Sequence, residues 1–508
     1  MHLQLKYLYL LFLSATFVSC SHHHKVPPPK PYGATPSKRQ LQWQKMGRHA
    51  FLHFNMNTFT GKEWGWGNAN PDKFHPTNFS PDQIVGTLAK TGFSGVILTA
   101  RHHDGFCIWP SKYSNYTVAQ SNWKNGKGNV VKAIADACHK YHVKFGIYLS
   151  PWDRHRADYG KPGYNKFYDN QLRELLKNYG NIFEVWFDGA NGGNGYYGGV
   201  NGKRKVDLST YYDWKGIHKI VRKYQPQAVM FSDAGPDVRW VGDEQGFASD
   251  SCWATYTPKP RKGAKKPVPG LVKTQQGKTG TKNGKYWMPA EADVSIRPGW
   301  FYHPSQDSKV KSLSQLLKIY FHSEGVGASL LLNVPPDRAG RINKVDSTRL
   351  VEFNDYLQKS FGTDLFDGAT ATSNINRGYG YEAQNVLDGK YNSYWATPDT
   401  VHSGSIEIKM NQKKRLNCVK LQEYIPLGQR VDDFSVEAFE NGKWMTVAHG
   451  STIGYQRIIR FKPVTTSRIK IKIKNALACP TINKIGGYYL EKVNKFEADY
   501  NKNNQINS

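Results

Sequence analysis

The chain has 508 residues, of which 39% are hydrophobic and 21% are charged. This ordinary globular composition excludes disordered, collagen-like, coiled-coil, polytopic membrane and disulfide-miniprotein classes.

Lys and Arg outnumber Asp and Glu by 69 to 40, and the resulting charge of +29 attracts anionic partners. A compact basic run at 259–266, KPRKGAKK, lies in a Pro- and Gly-rich loop and is typical of a solvated surface. The sequence has no zinc-finger or RNA-binding signature, so we expect no nucleic-acid partner.

Residues 1–20 predict an export signal. Lys6 precedes an apolar run at 7–18, whose roughly 12 residues are too few to span a bilayer. The run ends in a small residue followed by Cys20, as in bacterial lipoprotein signals, where the cysteine is lipidated; simple secretion is the alternative. Residues 21–40 predict a tether, because they are rich in His, Pro and Lys without apolar periodicity. We therefore expect an exported bacterial protein, in the periplasm or as an outer-membrane or cell-surface lipoprotein, that meets the membrane only through a lipid anchor.

Strand-like and helix-like segments alternate over residues 41–356. Most strand candidates are near-continuous apolar runs, as expected of parallel strands that are covered on both faces. They are 50–55, 95–100, 144–149, 183–188, 228–232, 286–289 and 329–334. Between them, apolar residues recur at helical spacing, as in 130–141, 172–179 and 313–320. Repeated β-α units over this length predict an α/β fold and favour a closed (β/α)8-type barrel.

Residues 362–500 follow a different pattern. Short runs with alternating or β-branched residues are separated by turns such as Asn441-Gly442, which predicts an all-β sandwich. Five cysteines remain after Cys20, and no two of them form a CxxC pair. An odd, scattered set of this kind predicts buried thiols rather than a disulfide framework or a metal site.

Polar and aromatic residues cluster where the predicted barrel strands end, which is where parallel barrels carry their functional groups. The clustered residues are His102, His103 and Asp104; Tyr148, Ser150, Trp152 and Asp153; Trp186 and Asp188; Asp233, Arg239, Asp243 and Glu244; and Glu291 and Asp293. Each has an ordinary alternative, such as a turn at Asp188, packing or metal-binding histidines, or an ion pair of Arg239. The two histidines reach one site only if their strand ends at Arg101. Their coincidence at five strand ends favours a functional site.

Carboxylates combined with Trp and His, and without a metal or cofactor motif, favour glycoside hydrolysis. In that reaction one protonated carboxyl group donates a proton to the leaving oxygen, and a second attacks the anomeric carbon or activates water. Aromatic residues make up 13% of the chain, and their flat faces suit the C–H faces of sugar rings. The residues therefore predict a glycosidase that needs no cofactor for its chemistry.

An ordered set of motifs over residues 41–356 resembles the α-L-fucosidases of glycoside hydrolase family 29. The motifs are HHDGF at 102–106, YS at 113–114, GIY at 146–148, VWFDG at 185–189 and LLNVPP at 331–336. Two further segments, FSDAGPDVRW at 231–240 and IRPGWFY at 296–302, resemble the branch of that family that acts on α-1,3/1,4-linked fucose in branched glycans.

The resemblance implies a retaining, exo-acting enzyme that works by double displacement. It makes Asp188 the nucleophile. We expect Glu244 to be the acid/base, with Glu291 as its rival. A retaining pair of carboxyl groups lies ~5–5.5 Å apart, and the acid needs a pKa that burial or a nearby anion raises.

The resemblance also implies a fucose pocket. Its expected members are His53, His102, His103, Tyr148 and Trp186, with Glu63, Trp64 and Arg239 completing it. Fucose is a 6-deoxy sugar, so its methyl group needs an apolar wall, for which Trp300 and Phe59 are the candidates. The alternative for Trp64 and Trp66 is that they are core indoles.

The segments at 369–373, 385–390 and 394–397 are similar to discoidin-type modules, the C domains of coagulation factors. Many such modules bind sugars, and many hold a structural Ca²⁺. The candidate ligands are Asp388 and Asn392, together with backbone carbonyls. A purely structural domain docked on the barrel is the alternative.

The expected partners are fucosylated oligosaccharides or glycoproteins. Two alternatives remain open at this point: a non-catalytic glycan-binding protein on the same scaffold, and another exo-glycosidase or a transglycosylase. The oligomeric state is not predicted.

Overall fold

The structure is a computed structural model that describes residues 26–493. Its first domain is a closed barrel of eight strands. They are β1 (His49–Leu52), β2 (Gly95–Arg101), β3 (Lys144–Leu149), β4 (Ile182–Trp186), β5 (Val229–Ser232), β6 (Val238–Trp240), β7 (Ala290–Ser295) and β8 (Ser329–Asn333). Every neighbouring pair is parallel, and β8 closes the barrel against β1. The predicted parallel barrel is confirmed.

Helices cover much of the barrel. They are α1 (Lys38–Met46), α2 (Met56–Thr60), α3 (Pro81–Lys90), α4 (Val130–Lys140), α5 (Gly163–Asn178), α6 (Trp214–Tyr224), α7 (Gln276–Thr279), α8 (Leu313–His322) and α9 (Lys344–Phe361). Side-chain caps fix several starts: Ser80 accepts the Gln83 N–H before α3, and Asn129 accepts the Lys132 N–H before α4. The predicted apolar face of α4 is buried against the barrel.

Two crossovers of the barrel differ from the regular β-α pattern. Within the described residues, no helix lies between β5 and β6, and the connection at 241–289 contains only the short α7. The predicted strand at 286–289 is wrong as a barrel strand, because Tyr286–Trp287 pairs instead with Thr255–Tyr256 in a separate two-stranded sheet. Strands β6 and β7 were not predicted from the sequence. A further small sheet pairs Gly193–Gly195 with Gly202–Arg204.

The second domain is an antiparallel seven-stranded sheet, so the all-β prediction is confirmed. Its strands are β9 (Thr370–Ser373), β10 (Trp395–Ala396), β11 (Gly404–Glu423), β12 (Val431–Glu440), β13 (Lys443–Gly450), β14 (Arg457–Ala476) and β15 (Thr481–Tyr488). Asn441 and Gly442, both at positive φ, form the tight hairpin between β12 and β13. The domain has its own apolar core around Trp395, Phe434 and Ile471.

The sheet domain docks on the long 241–289 connection. Cys252 N–H donates to Thr452 Oγ1 (3.0 Å), Ala254 N–H donates to Gln429 Oε1 (2.6 Å), and the Gln429 amide donates back to Cys252 O (3.0 Å). Because these side chains hold backbone groups, they fix the course of the connection as well as the domain contact.

Part of the predicted tether lies along the sheet domain, whereas its last residues, 38–40, already belong to α1. Tyr32 N–H donates to Leu427 O (2.9 Å), and the Arg430 guanidinium donates to Lys30 O (2.7 Å). These bonds attach the segment to the sheet domain. The predicted signal at 1–20 and its Cys20 lie outside the described residues.

Within residues 26–493, no helix combines the length and apolar composition needed to cross a membrane. The five cysteines in this range are all buried and free, as predicted.

Candidate active site

Asp188 and Glu244 line one cavity at the C-terminal end of the barrel. The cavity has a volume of ≈ 590 Å³. Asp188 lies two residues beyond β4, and Glu244 lies four residues beyond β6. The lining also includes Trp186, Trp240, Asp233 and Asp293. The carboxyl pair expected from the sequence therefore faces a common space.

Two hydrogen bonds orient the Asp188 carboxylate, and a histidine lies beside it. The Tyr148 hydroxyl donates to its Oδ2 at 2.9 Å, and the Ala190 N–H donates to its Oδ1 at 2.6 Å. His103 Nε2 lies 3.7 Å from Oδ2. Burial raises the pKa of Asp188, while the two hydrogen bonds oppose that rise because they stabilise the anion. The side chain is thus held in one orientation at the end of its strand.

The environment of Glu244 favours its protonated form. Desolvation by the cavity walls raises the pKa of Glu244, and the negative charge of Asp188 raises it further. The Trp300 indole N–H donates to its Oε2 at 3.2 Å and opposes the rise. A carboxyl group with a raised pKa near a second carboxylate has the chemistry of a general acid.

Three histidines line the same end of the barrel. Both His102 and His103 follow Arg101, where β2 ends, so both reach the site. His103 Nδ1 is 2.8 Å from Ser150 Oγ, and the ring of His102 stacks on that of Tyr148 at 5.9 Å. Burial lowers the pKa of His103 to about 3. Its neutral imidazole can both donate and accept hydrogen bonds.

His53 completes this wall from the end of β1. Its Nδ1 lies 2.9 Å from Asn333 Oδ1, and its ring centroid is 5.1 Å from that of Trp300. Burial lowers the pKa of His53 to about 3. Asn333 was missed in the sequence analysis, although it ends the LLNV strand at a position where functional residues are expected.

Glu63 and Trp300 join two loops at the rim. Glu63 Oε2 accepts the Trp300 N–H at 2.8 Å, and its Oε1 lies 2.7 Å from His303 Nε2. Trp64 is 54% exposed and packs edge-on against His103 at 5.2 Å. Exposure excludes Trp64 as a core indole. Phe59 instead packs on Phe54 and Phe74, so it is wrong as the methyl wall.

Arg239 and Glu291 are predicted site residues that lie neither on the cavity nor beside the three histidines described above. Arg239 is fully buried, and its guanidinium donates to the backbone oxygens of Gly277 and Met288. Since alternate strand residues face opposite sides, Trp240 faces the cavity and Arg239 points away from it. The assignment of Arg239 to the fucose pocket is therefore corrected: it holds the 241–289 connection in place.

Glu291 is the second correction. It is the second residue of β7, near the end of that strand that lies away from the cavity, and is fully buried beside Glu184 and His49. Its Oε2 accepts the Trp186 indole N–H at 3.1 Å. Burial raises the pKa of Glu291 to about 8. Without access to the cavity it cannot protonate a leaving group, which leaves Glu244 as the acid/base candidate.

Two cavity carboxyl groups received no role from the sequence. Burial raises the pKa of Asp233 to about 7, and that of Asp293 well above its ordinary range; the charge of Asp188 acts in the same direction on both. Asp293 accepts the Trp240 indole N–H at 2.6 Å. Both residues could have been assigned to the site from the sequence, because Asp233 directly follows β5 and Asp293 lies within β7.

Asp388 and Asn392 both lie exposed at the surface of the sheet domain. Asp388 Oδ1 accepts the Lys390 N–H at 2.8 Å and closes the turn. These oxygen donors suit the chemistry of Ca²⁺, which takes six to eight oxygen ligands. Backbone carbonyls and water would have to supply most of that set.

Comparisons with known proteins agree with this architecture. The α-L-fucosidase family matches residues 32–361, and the F5/8 type C domain matches residues 368–485. Alpha-L-fucosidase 1 of Arabidopsis thaliana is 40% identical over 490 residues, which cover 95% of this chain and 93% of that protein.

Two solved structures are similar over both domains. A Ruminococcus gnavus family 29 fucosidase in complex with fucose is 33% identical, with a TM-score of 0.82, and covers 92% of this chain and 97% of its own. A glycoside hydrolase 29 family member from an unknown rumen bacterium is 38% identical, with a TM-score of 0.81. The match covers 91% of this chain and 79% of that chain. The chain therefore belongs to the α-L-fucosidases of glycoside hydrolase family 29 and carries a C-terminal F5/8 type C, or discoidin, domain.

Proposed function

We propose that this α-L-fucosidase is a retaining, exo-acting enzyme that works by double displacement. The observation that carries the proposal is the placement of Asp188 and Glu244 in one cavity, with hydrogen bonds that orient the first and a raised pKa on the second. Retaining hydrolysis needs two carboxyl groups at one site, a nucleophile held in orientation and an acid that is protonated before the first step.

In the first step, the Asp188 carboxylate attacks the anomeric carbon of fucose while Glu244 donates its proton to the glycosidic oxygen. The C–O bond to the leaving sugar breaks, and a β-fucosyl ester on Asp188 forms. In the second step, the Glu244 carboxylate takes a proton from water, and the water oxygen attacks the same carbon. The ester bond breaks, α-L-fucose leaves, and both side chains return to their starting states.

The histidine wall is proposed to bind the fucose hydroxyl groups. His53, His102 and His103 are buried and neutral, so each offers one donor and one acceptor. Trp300 lies beside His53 and Glu244 and supplies an apolar surface for the fucose methyl group. Glu63 holds Trp300 in place through its backbone N–H.

We propose that the enzyme prefers α-1,3/1,4-linked fucose of branched glycans. The support is the resemblance of segments 231–240 and 296–302, which carry the Asp233 cavity wall and Trp300. Family membership favours this enzyme over a non-catalytic glycan-binding protein.

Product analysis tests these proposals. A fucosidase is distinguished from other exo-glycosidases with three aryl glycosides: an α-L-fucoside, a β-galactoside and a β-xyloside. We expect the enzyme to cleave only the fucoside. Proton NMR should show α-L-fucose as the first product, because double displacement retains the anomer; β-L-fucose would identify an inverting enzyme. Lewis-type trisaccharides should be cleaved faster than α-1,2-fucosyl substrates. Fucosyl transfer to added alcohols measures the transglycosylase alternative.

We also propose export as a lipoprotein anchored through Cys20, in the periplasm, outer membrane or cell surface. The sequence pattern of residues 1–20 supports it. Mass spectrometry of the mature N-terminus should detect an acylated Cys20, and Cys20→Ala should release the protein from the membrane fraction. An unmodified N-terminus after Cys20 would favour simple secretion.

A further inference from the structure

The basic run at 259–266 lies on a hairpin of the β6–β7 connection. Lys273 N–H donates to Lys259 O, and Arg261 N–H donates to Leu271 O, both at 2.9 Å. Pro260 and Val272 pair between them. We call residues 259–273 the cationic hairpin.

The cationic hairpin is attached to the wall of the catalytic cavity. The Gly270 N–H donates to both carboxyl oxygens of Asp233 at 3.1 Å. Gly270 has φ +82°, and a Cβ at this position would lie 2.6 Å from Gly189 O. Glycine is therefore required for the hairpin to approach the chain this closely, directly after Asp188.

The hairpin places two cations on the cavity and others away from it. All four of these cations are exposed, but Arg261 and Lys273 line the cavity together with Asp188 and Glu244, whereas Lys262 and Lys265 of the hairpin tip do not. Within residues 26–493, neither Arg261 nor Lys273 forms an ion pair, in contrast to Lys278, which pairs with Asp243.

These two cations do not act as counterions of the cavity carboxyl groups. In the described part of the chain, Asp188, Asp233, Glu244 and Asp293 form no ion pair with either cation, and the one basic side chain paired with Asp188 is His103. Arg261 and Lys273 therefore stay available for a charge that is not part of the protein.

The proposed mechanism places the leaving sugar beside these cations. Glu244 must contact the glycosidic oxygen in that mechanism. The three histidines proposed to bind fucose are not among the residues that line this cavity, whereas Arg261 and Lys273 line it together with Asp188 and Glu244, so the cavity is the space open to the leaving sugar. We infer that Arg261 and Lys273 form a subsite for an anionic substituent, a carboxylate or a sulfate ester, on the glycan from which fucose is removed. This inference rests on the proposed function, and the guanidinium fork of Arg261 suits the two oxygens that either anion presents.

The test compares one neutral and two anionic substrates. They are a neutral Lewis-type trisaccharide, the same glycan carrying sialic acid, and the same glycan carrying a sulfate ester; the latter two distinguish the two anions. The variant is Arg261→Ala/Lys273→Ala, and the matched control is Lys262→Ala/Lys265→Ala. Both remove two positive charges from the hairpin, so long-range attraction changes equally and only the cavity-lining cations differ.

In Arg261→Ala/Lys273→Ala, we expect the ratio of kcat/KM for the anionic substrate to kcat/KM for the neutral substrate to fall about fivefold or more. This is the effect expected when exposed pairs of opposite charge between enzyme and substrate are lost. The control should keep the wild-type ratio. Added salt should lower the ratio for the wild type and less for the variant. An equal fall in both variants, or no fall in either, overturns the subsite. Thermal melting and the milder Arg261→Gln/Lys273→Gln pair check that the fold is kept.

A second measurement separates the subsite from the proposed function. If the wild type cleaves none of the fucosides, the proposed function fails. Titration calorimetry of the same variants with the same three glycans then still decides the inference, because preferential binding of the anionic glycans needs no turnover. Equal affinity for neutral and anionic glycans would overturn it.

Discussion

The Trp300 indole N–H donates to Glu244 Oε2 at 3.2 Å, and the backbone N–H of the same residue donates to Glu63 at 2.8 Å. One residue thus joins the proposed acid/base to the loop that carries Trp64. A hydrogen bond to a carboxylate stabilises its ionised form. Trp300 therefore limits how far burial and the Asp188 charge raise the pKa of Glu244.

Replacing Trp300 by Phe should raise the pKa of Glu244, because the donor to the carboxylate is lost while burial and the Asp188 charge remain. Activity needs protonated Glu244, so the basic limb of the pH profile should move to higher pH. The measurement is kcat/KM against pH on an aryl α-L-fucoside. Trp64→Phe, whose indole does not contact Glu244, should keep the basic limb in place. A downward shift in Trp300→Phe would contradict the assignment of Glu244.

Asp188→Gly should lower kcat about 10³-fold or more, because the nucleophile is lost. Azide or formate should partly restore activity on an activated aryl fucoside, since a small anion can occupy the space of the missing carboxylate. The product with azide should be β-fucosyl azide. The matched variant Asp233→Asn, in the same cavity, should show no anion rescue; rescue there instead would move the nucleophile to Asp233.

Glu291→Gln should separate the buried rival from the acid/base. Glutamine keeps an acceptor for the Trp186 indole, so we expect activity with a wild-type pH profile. In the wild type the folded-state pKa of Glu291 is about 8, against an ordinary 4.5. The stability from its protonated form is fully present below pH 4.5 and is lost as the pH rises to about 8.

The glutamine variant cannot ionise, so its Tm relative to the wild type should increase between pH 5 and pH 8. Melting curves at each pH measure this difference. Glu291→Leu, which leaves the Trp186 N–H without an acceptor, should be less stable than the glutamine variant at every pH. Loss of activity in Glu291→Gln with an unchanged Tm would return this residue to the list of catalytic candidates.

Calcium bound at the turn of Asp388 should act as a structural ligand of the sheet domain. A ligand at about 100 times its Kd adds ~2.7 kcal/mol to the folded state, so calcium should raise Tm by a few degrees and EDTA should reverse the effect. Asp388→Asn should remove the response, and the rate of fucoside cleavage should not depend on calcium. An identical Tm with calcium and with EDTA would refute this site.

The sequence predicts the fold where local signals are long. Apolar strands such as β3 and the periodic face of α4 are visible without tertiary information. In contrast, β6 has three residues, and β7 (AEADVS) presents Glu291 and Asp293 to the barrel interior, so neither has the apolar pattern of a buried parallel strand.

The site predictions fail where a strand was missed. Successive residues of a strand face opposite sides, so the side that Arg239 faces can be predicted only when β6 and its first residue are known. Likewise, the end of the barrel at which Glu291 lies can be predicted only when the start of β7 is known. In contrast, Asp188, His102 and His103 follow strands that the sequence identifies, and the structure brings them together. The contact of Trp300 with Glu244 joins distant loops, and no local pattern contains that information.

The absence of regular helices after β5 and β6 has a consequence for the evolution of this enzyme. Residues 233–289 carry Asp233, Glu244 and the cationic hairpin in one uninterrupted stretch, whereas the histidine wall comes from other strands. Recombination of this single stretch between relatives would exchange the preference for the leaving sugar and keep the recognition of fucose. Because Gln429 and Thr452 bind backbone N–H groups of this stretch, their hydrogen bonds do not depend on its side chains, and a recipient that keeps these two residues can hold the exchanged stretch.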